Sequence, residues 1–207
     1  MAKPLADMRP LVAILRGVKP DEVVGIGQSL LDAGFEIIEV PLNSPQPLQS
    51  IQMLCDAFGD HAIIGAGTVL SDGEVEAVCE AGGKLIVSPN MNRSVIERTK
   101  ELGALSYPGV FTPTEAFDAI AAGADALKFF PASMHGPGGI KAIKAVLPPD
   151  MPVLAVGGVD EGTIGTWIEA GADGFGIGSN VYKPGMTAQE VGSKAKAFVT
   201  AFDAVSG

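Results

Sequence analysis

The chain has 207 residues, of which 47% are apolar, enough for one substantial core and too many for a disordered polymer. Its 24 acidic and 14 basic residues leave a net charge of −10, which argues against nucleic acid as a partner. Any anionic substrate must then be met locally, by arginine, lysine or backbone N–H groups.

No apolar run reaches the ~18 residues of a membrane span, and Met1-Ala2-Lys3-Pro4-Leu5-Ala6-Asp7 lacks the apolar core of a secretory leader. A cytoplasmic protein with no membrane partner is expected. From the N-terminus onward one pattern repeats: a helix-ending glycine followed by an apolar strand, at Gly34, Gly59, Gly82, Gly103, Gly123 and Gly171. These glycines lie about 20 to 25 residues apart, with one gap of about twice that, which holds Pro148-Pro149. Glycine ends a helix in the left-handed conformation that other residues resist. The period suits one strand plus one helix.

Eight strands are predicted, at residues 11–16, 35–40, 62–66, 84–88, 104–107, 125–130, 152–156 and 174–177. Amphipathic helices are predicted between them, among them 20–33, 72–81, 93–102 and 113–122, with the last at 188–204. Thr112, Pro113 and Glu115 read as a helix start. Cys55 and Cys79 fall on helices outside any metal-ligand spacing and are expected to be reduced. The alternation predicts a (β/α)8 TIM barrel, one domain over residues 1–207, with an open doubly wound sheet as the alternative.

A barrel carries its chemistry at the C-terminal ends of its strands. Those positions hold Arg16-Gly17, Glu39 before Pro41-Leu42-Asn43-Ser44-Pro45, Gly65-Ala66-Gly67-Thr68, Ser88-Pro89-Asn90, Pro108-Gly109, Lys128 with Phe130-Pro131, Gly157-Gly158 and Gly178-Ser179. Polar and glycine residues gather there, while the strand interiors are aliphatic.

Lys128 is a single lysine in the apolar run Ala126-Leu127-Lys128-Phe129-Phe130. Burial lowers a lysine pKa and makes the amine a nucleophile able to form a Schiff base; the plainer reading is a lysine that reaches water or a carboxylate. Glu36 and Glu39 are three apart and fall on opposite faces of a strand, leaving Glu39 as the candidate general acid/base. Arg16 either pairs with an acidic neighbour or binds a substrate carboxylate. Thr68 is a donor to the same group or a helix cap, a role Ser71 fits better. Gly157-Gly158 and Gly178-Ser179 end the last two strands, where loop N–H groups and a helix N-terminus commonly hold phosphate; tight turns alone are the alternative. His61 and His135 have no ligand spacing, so no metal is expected; His61 is placed in a loop at the opposite end of the barrel and His135 in the loop after the lysine strand.

Gly65-Ala66-Gly67-Thr68-Val69, Ser88-Pro89-Asn90, Lys128-Phe129-Phe130-Pro131-Ala132 and Val156-Gly157-Gly158-Val159, in this order and spacing, resemble the 2-keto-3-deoxy-6-phosphogluconate/galactonate aldolases, class I enzymes on a (β/α)8 barrel. The resemblance covers essentially the whole chain. It implies that Lys128 forms the Schiff base, that Glu39 is the acid/base, and that Thr68 and Arg16 hold the pyruvyl carboxylate. It further implies that Pro89 and Phe130 shape the pocket and that Gly157, Gly158, Gly178 and Ser179 bind phosphate. No cofactor and a homotrimer are implied as well. Asn43, where the gluconate branch carries arginine, and Val156, where it usually carries threonine, resemble the galactonate branch. The implied reaction cleaves 2-dehydro-3-deoxy-6-phosphogalactonate to pyruvate and glyceraldehyde 3-phosphate, with the gluconate epimer as the alternative substrate and a non-covalent phosphate-binding isomerase or synthase behind both.

Overall fold

A computed structural model describes residues 8–206, so the leader reading at Met1–Asp7 lies outside the described residues. Nine parallel strands alternate with eight helices: β1 (Leu11–Ile14), α1 (Pro20–Ala33), β2 (Ile37–Pro41), α2 (Pro47–Phe58), β3 (Ile63–Gly67), α3 (Asp72–Glu80), β4 (Leu85–Val87), α4 (Arg93–Glu101), β5 (Leu105–Tyr107), β6 (Gly109–Val110), α5 (Pro113–Ala121), β7 (Leu127–Phe129), α6 (Ala132–Lys144), β8 (Val153–Val156), α7 (Ile164–Glu169), β9 (Gly174–Ile177) and α8 (Ala188–Asp203). The sheet order is β5-β4-β3-β2-β1-β9-β8-β7-β6. Its two outer members, β5 and β6, are separated in sequence by Pro108 alone. They are the halves of one stave, predicted as the single strand 104–107. Proline has no N–H for the ladder, which interrupts the stave. The Pro108 carbonyl still accepts from Lys128 N at 2.9 Å, and Ser88 N donates to Tyr107 O at 3.2 Å. The expected eight-unit barrel closes.

Strand periodicity divides the apolar residues into two cores. One face supplies Leu11, Ala13, Ile38, Val40, Ile64, Ile86, Phe129, Ala155 and Phe175, which pack under the helices. The other supplies Val12, Ile14, Ile37, Ile63, Leu85, Val87, Tyr107, Leu154 and Val156, which fill the lumen. Each large side chain so buried contributes roughly 1.5–3 kcal/mol. Glycine replaces bulk at Gly65 and Gly67 on β3 and at Gly174 and Gly176 on β9, so part of the lumen wall is bare backbone.

Five of the six helix-ending glycines have positive φ, from 74° at Gly103 to 102° at Gly34. Gly59 does not; at φ −60° it continues the right-handed turn of α2. Thr112 Oγ1 accepts from Glu115 N, and the Glu115 carboxylate accepts from Thr112 N at 2.8 Å, closing a reciprocal cap on α5. Ser71 caps α3 in the same way. Strand and helix limits lie within two residues of the predicted ones, and those of α1 and β9 coincide with them. His61 lies between α2 and β3 as expected. His135 does not lie in a loop: it sits in α6 ahead of the bend at Gly136 (φ 66°, ψ −177°). Its ring packs 4.1 Å from Phe111 and 5.6 Å from Phe129, outside the barrel.

Candidate active site

β2 runs Ile37-Ile38-Glu39-Val40-Pro41, and alternation turns Glu39 into the lumen with Ile37. The side chain is 1% exposed, and Oε2 has no hydrogen-bond partner among the described residues. The carboxylate stands where a Cβ on Gly67 would be, a place open only because β3 carries glycine there. Burial drives the Glu39 pKa up to about 7, against the opposing pull of the Lys128 and Arg16 charges.

Lys128 is the middle residue of β7, in register with Gly109 on β6 and Leu154 on β8. It is 7% exposed. Burial lowers its pKa, Glu39 raises it and Arg16 lowers it further. The amine therefore loses its proton at lower pH than an ordinary lysine. Nζ lies 4.7 Å from the centroid of Phe130, its neighbour two residues along the same strand face. The Phe130–Pro131 bond that follows is cis.

Above the lysine opens a cavity of about 330 Å3. Ile14, Phe130 and Val156 give it apolar walls; Arg16, Lys128, Gly157, Gly158, Gly178 and Ser179 give it charge and backbone. Gly157 and Gly158 hold φ values of 97° and 82°, which only glycine adopts readily. The N–H groups of Gly157, Gly158, Ser179 and Asn180 meet no acceptor among the described residues. Consecutive free N–H groups of this kind form an anion-binding concavity. The N-terminus of a helix is not part of it: α7 starts at Ile164 and α8 at Ala188. Beneath the cavity, a second space of about 10 Å3 touches Glu39, Lys128, Val87 and Tyr107, room for one water molecule.

The remaining predicted residues stand outside this lining. Asn43 is exposed and accepts a 2.6 Å hydrogen bond from Arg16, so the arginine pairs with an amide and not with an acid. Thr68 follows β3 with φ 58°, a left-handed backbone that strains a β-branched residue by about 1–3 kcal/mol. Pro89 follows β4, and its carbonyl lies against Gly109. Sequence reading missed Asn180, Tyr182, Lys183 and Pro184, which line the cavity from the loop after β9. They continue directly from Gly178-Ser179, and the signal was that continuity. Among the described residues no group of three or more His, Cys, Asp or Glu side chains is arranged to hold a metal ion.

A closed parallel barrel with a buried amine facing a buried carboxyl below a glycine-lined mouth defines a (β/α)8-barrel lyase of the aldolase type. The chain belongs to the KDPG and KHG aldolase family, which its sequence matches over residues 5–195. It is 51% identical to the probable 2-dehydro-3-deoxy-6-phosphogalactonate aldolase of Rhizobium meliloti (strain 1021), over 99% of this chain and 97% of that one. It is 50% identical to the 2-dehydro-3-deoxy-6-phosphogalactonate aldolase of Escherichia coli (strain K12), over 93% and 94% of the two chains. A solved structure described as native KDPGal superposes with a TM-score of 0.94 at 49% identity, covering 95% of this chain and 96% of that one.

Proposed function

We propose that the protein is a class I aldolase that cleaves 2-dehydro-3-deoxy-6-phosphogalactonate to pyruvate and glyceraldehyde 3-phosphate. The observation that carries the reading is Lys128: 7% exposed, its pKa lowered by burial, facing Glu39 across the lumen. The neutral amine attacks the C2 ketone, and loss of water gives an iminium that draws electrons from the C3–C4 bond. Glu39, directly or through a water in the 10 Å3 space, takes the C4 hydroxyl proton. C3–C4 then breaks, the aldehyde leaves, and an enamine remains on Lys128. Glu39 or its water returns the proton to C3, and hydrolysis frees pyruvate and the amine. No cofactor enters these steps.

Arg16 and Thr68 hold the pyruvyl carboxylate in this reading. The strained backbone of Thr68, whose hydroxyl makes no hydrogen bond among the described residues, supports a substrate role. Pro89 and Phe130 shape the pocket, and the free N–H groups beside Gly157, Gly158, Gly178 and Ser179 receive the phosphate. Val156, in the cavity wall, and Asn43, beside Arg16, favour the galactonate epimer. The chain works as one domain over residues 1–207, in the cytoplasm. Two half-buried unpaired cysteines support that location.

A homotrimer is the proposed assembly. Phe117 on α5, Met134 on α6 and Val146 just after α6 are exposed apolar side chains that such an assembly could cover. Light scattering that returns only the mass of one chain removes it.

Borohydride reduction with pyruvate tests the chemistry. A stable pyruvyl adduct is expected on the peptide holding Lys128, and none in Lys128→Met; wild-type protein without an adduct refutes the reading. Comparing kcat/KM on the two C4 epimers tests the sugar, and preference for the gluconate epimer refutes the galactonate assignment.

A further inference from the structure

Three cations line the cavity of this acidic protein: Arg16, Lys128 and Lys183. The reaction proposed above uses the first two. Lys183 is exposed, and its side chain makes no hydrogen bond or ion pair among the described residues.

The loop that carries it is anchored on both sides. Tyr182, 2% exposed, donates its hydroxyl proton to Glu22 Oε1 on α1 at 2.9 Å. Pro184 packs on Gly17, its Cγ 2.8 Å from where a Cβ there would stand. Asn180 donates to Val159 O at 2.7 Å, tying the same loop to the one after β8. Lys183 is thus held at the cavity wall by its two neighbours, and only its own rotamers remain to be fixed.

Backbone N–H groups orient an anion but carry no net charge. A phosphate monoester carries about −1.5 to −2 charges near neutral pH. The cavity has no acidic lining residue, and once Arg16 and Lys128 are committed to the other end of the substrate, one cation is left. We propose that Lys183 binds the substrate phosphate, completing the group of free N–H donors at Gly157, Gly158, Ser179 and Asn180, and that it sets the preference for phosphorylated over unphosphorylated substrates. This rests on the aldolase reading.

The test is condensation of pyruvate with glyceraldehyde 3-phosphate and, separately, with glyceraldehyde, by wild type, Lys183→Met and Lys183→Arg. The ratio of kcat/KM between the two aldehydes is expected to fall roughly tenfold in Lys183→Met, through KM for the phosphorylated one, as for a single charge-assisted contact at a wet rim. Lys183→Arg should recover most of it. An unchanged ratio in Lys183→Met, or equal loss on both aldehydes, overturns the proposal while leaving the aldolase reading intact. Wild-type protein that condenses neither aldehyde and forms no adduct on Lys128 overturns both.

Discussion

The Glu39 carboxylate occupies the position that a Cβ on Gly67 would take, so a glycine on one strand is what admits a carboxyl from the next. Gly67 is paired with Pro41 in the ladder, and its φ is not positive. Alanine therefore meets no objection from its own φ at this position, and the three atoms nearest its Cβ all belong to Glu39.

Gly67→Ala is expected to fold and to lose activity. Overpacking of this kind costs about 1–3 kcal/mol, a Tm lower by several degrees in a chain of this size. If Glu39 is the acid/base group proposed above, displacing it should lower kcat by about 100-fold or more. Steady-state kinetics beside thermal unfolding check it, and near-wild-type kcat would sink it.

Glu39→Gln is expected to change how stability depends on pH. The folded carboxyl keeps its proton up to about pH 7, whereas the unfolded chain releases it near the ordinary glutamate value of 4.5. Between those values the folded state binds more protons, so wild-type stability falls as pH rises through the window. The variant lacks that slope. Measured by urea unfolding, it should gain on wild type between pH 5 and pH 8, by up to about 3 kcal/mol. Parallel pH profiles for the two proteins would show that Glu39 is not held in a raised state.

Val156→Thr is expected to move preference toward the gluconate epimer. Val156 is 6% exposed, lines the cavity and faces Gly176, so a threonine keeps the shape and adds a hydroxyl to the cavity wall. The ratio of kcat/KM for the galactonate over the gluconate epimer should drop about tenfold or more. A ratio that does not move removes Val156 from the specificity argument.

The barrel was legible because its punctuation is local. A helix-ending glycine and an apolar run each speak within a few residues, and six such joints leave little freedom in the topology. Pro108 broke a stave that the run Ala104-Leu105-Ser106-Tyr107 ended too early to reveal. Gly59 kept the sequence signal of its five counterparts without their conformation.

The placement of Glu39 and Lys128 inside the barrel was legible because a charged residue inside an apolar strand stands out in sequence. Thr68, Pro89 and Asn43 are not in the lining of the open cavity, and Tyr182, Lys183 and Pro184 are. Loop positions are set by anchors such as Tyr182–Glu22, 160 residues apart, which no local pattern encodes. His135 reads as a loop residue beside Gly136-Pro137, yet aromatic stacking on Phe111 holds it on the outside.

The pairing of β1 with β9 joins the start of the described chain to its end, and the cavity straddles that junction, with Arg16 on one side and Ser179 and Lys183 on the other. During synthesis, then, the mouth is the last part to be completed. A nascent chain that stops short of Gly174 has its lysine and its glutamate but leaves β1 and β8 as open edges with no partner between them. Catalytic competence in this protein arrives only with the closing stave.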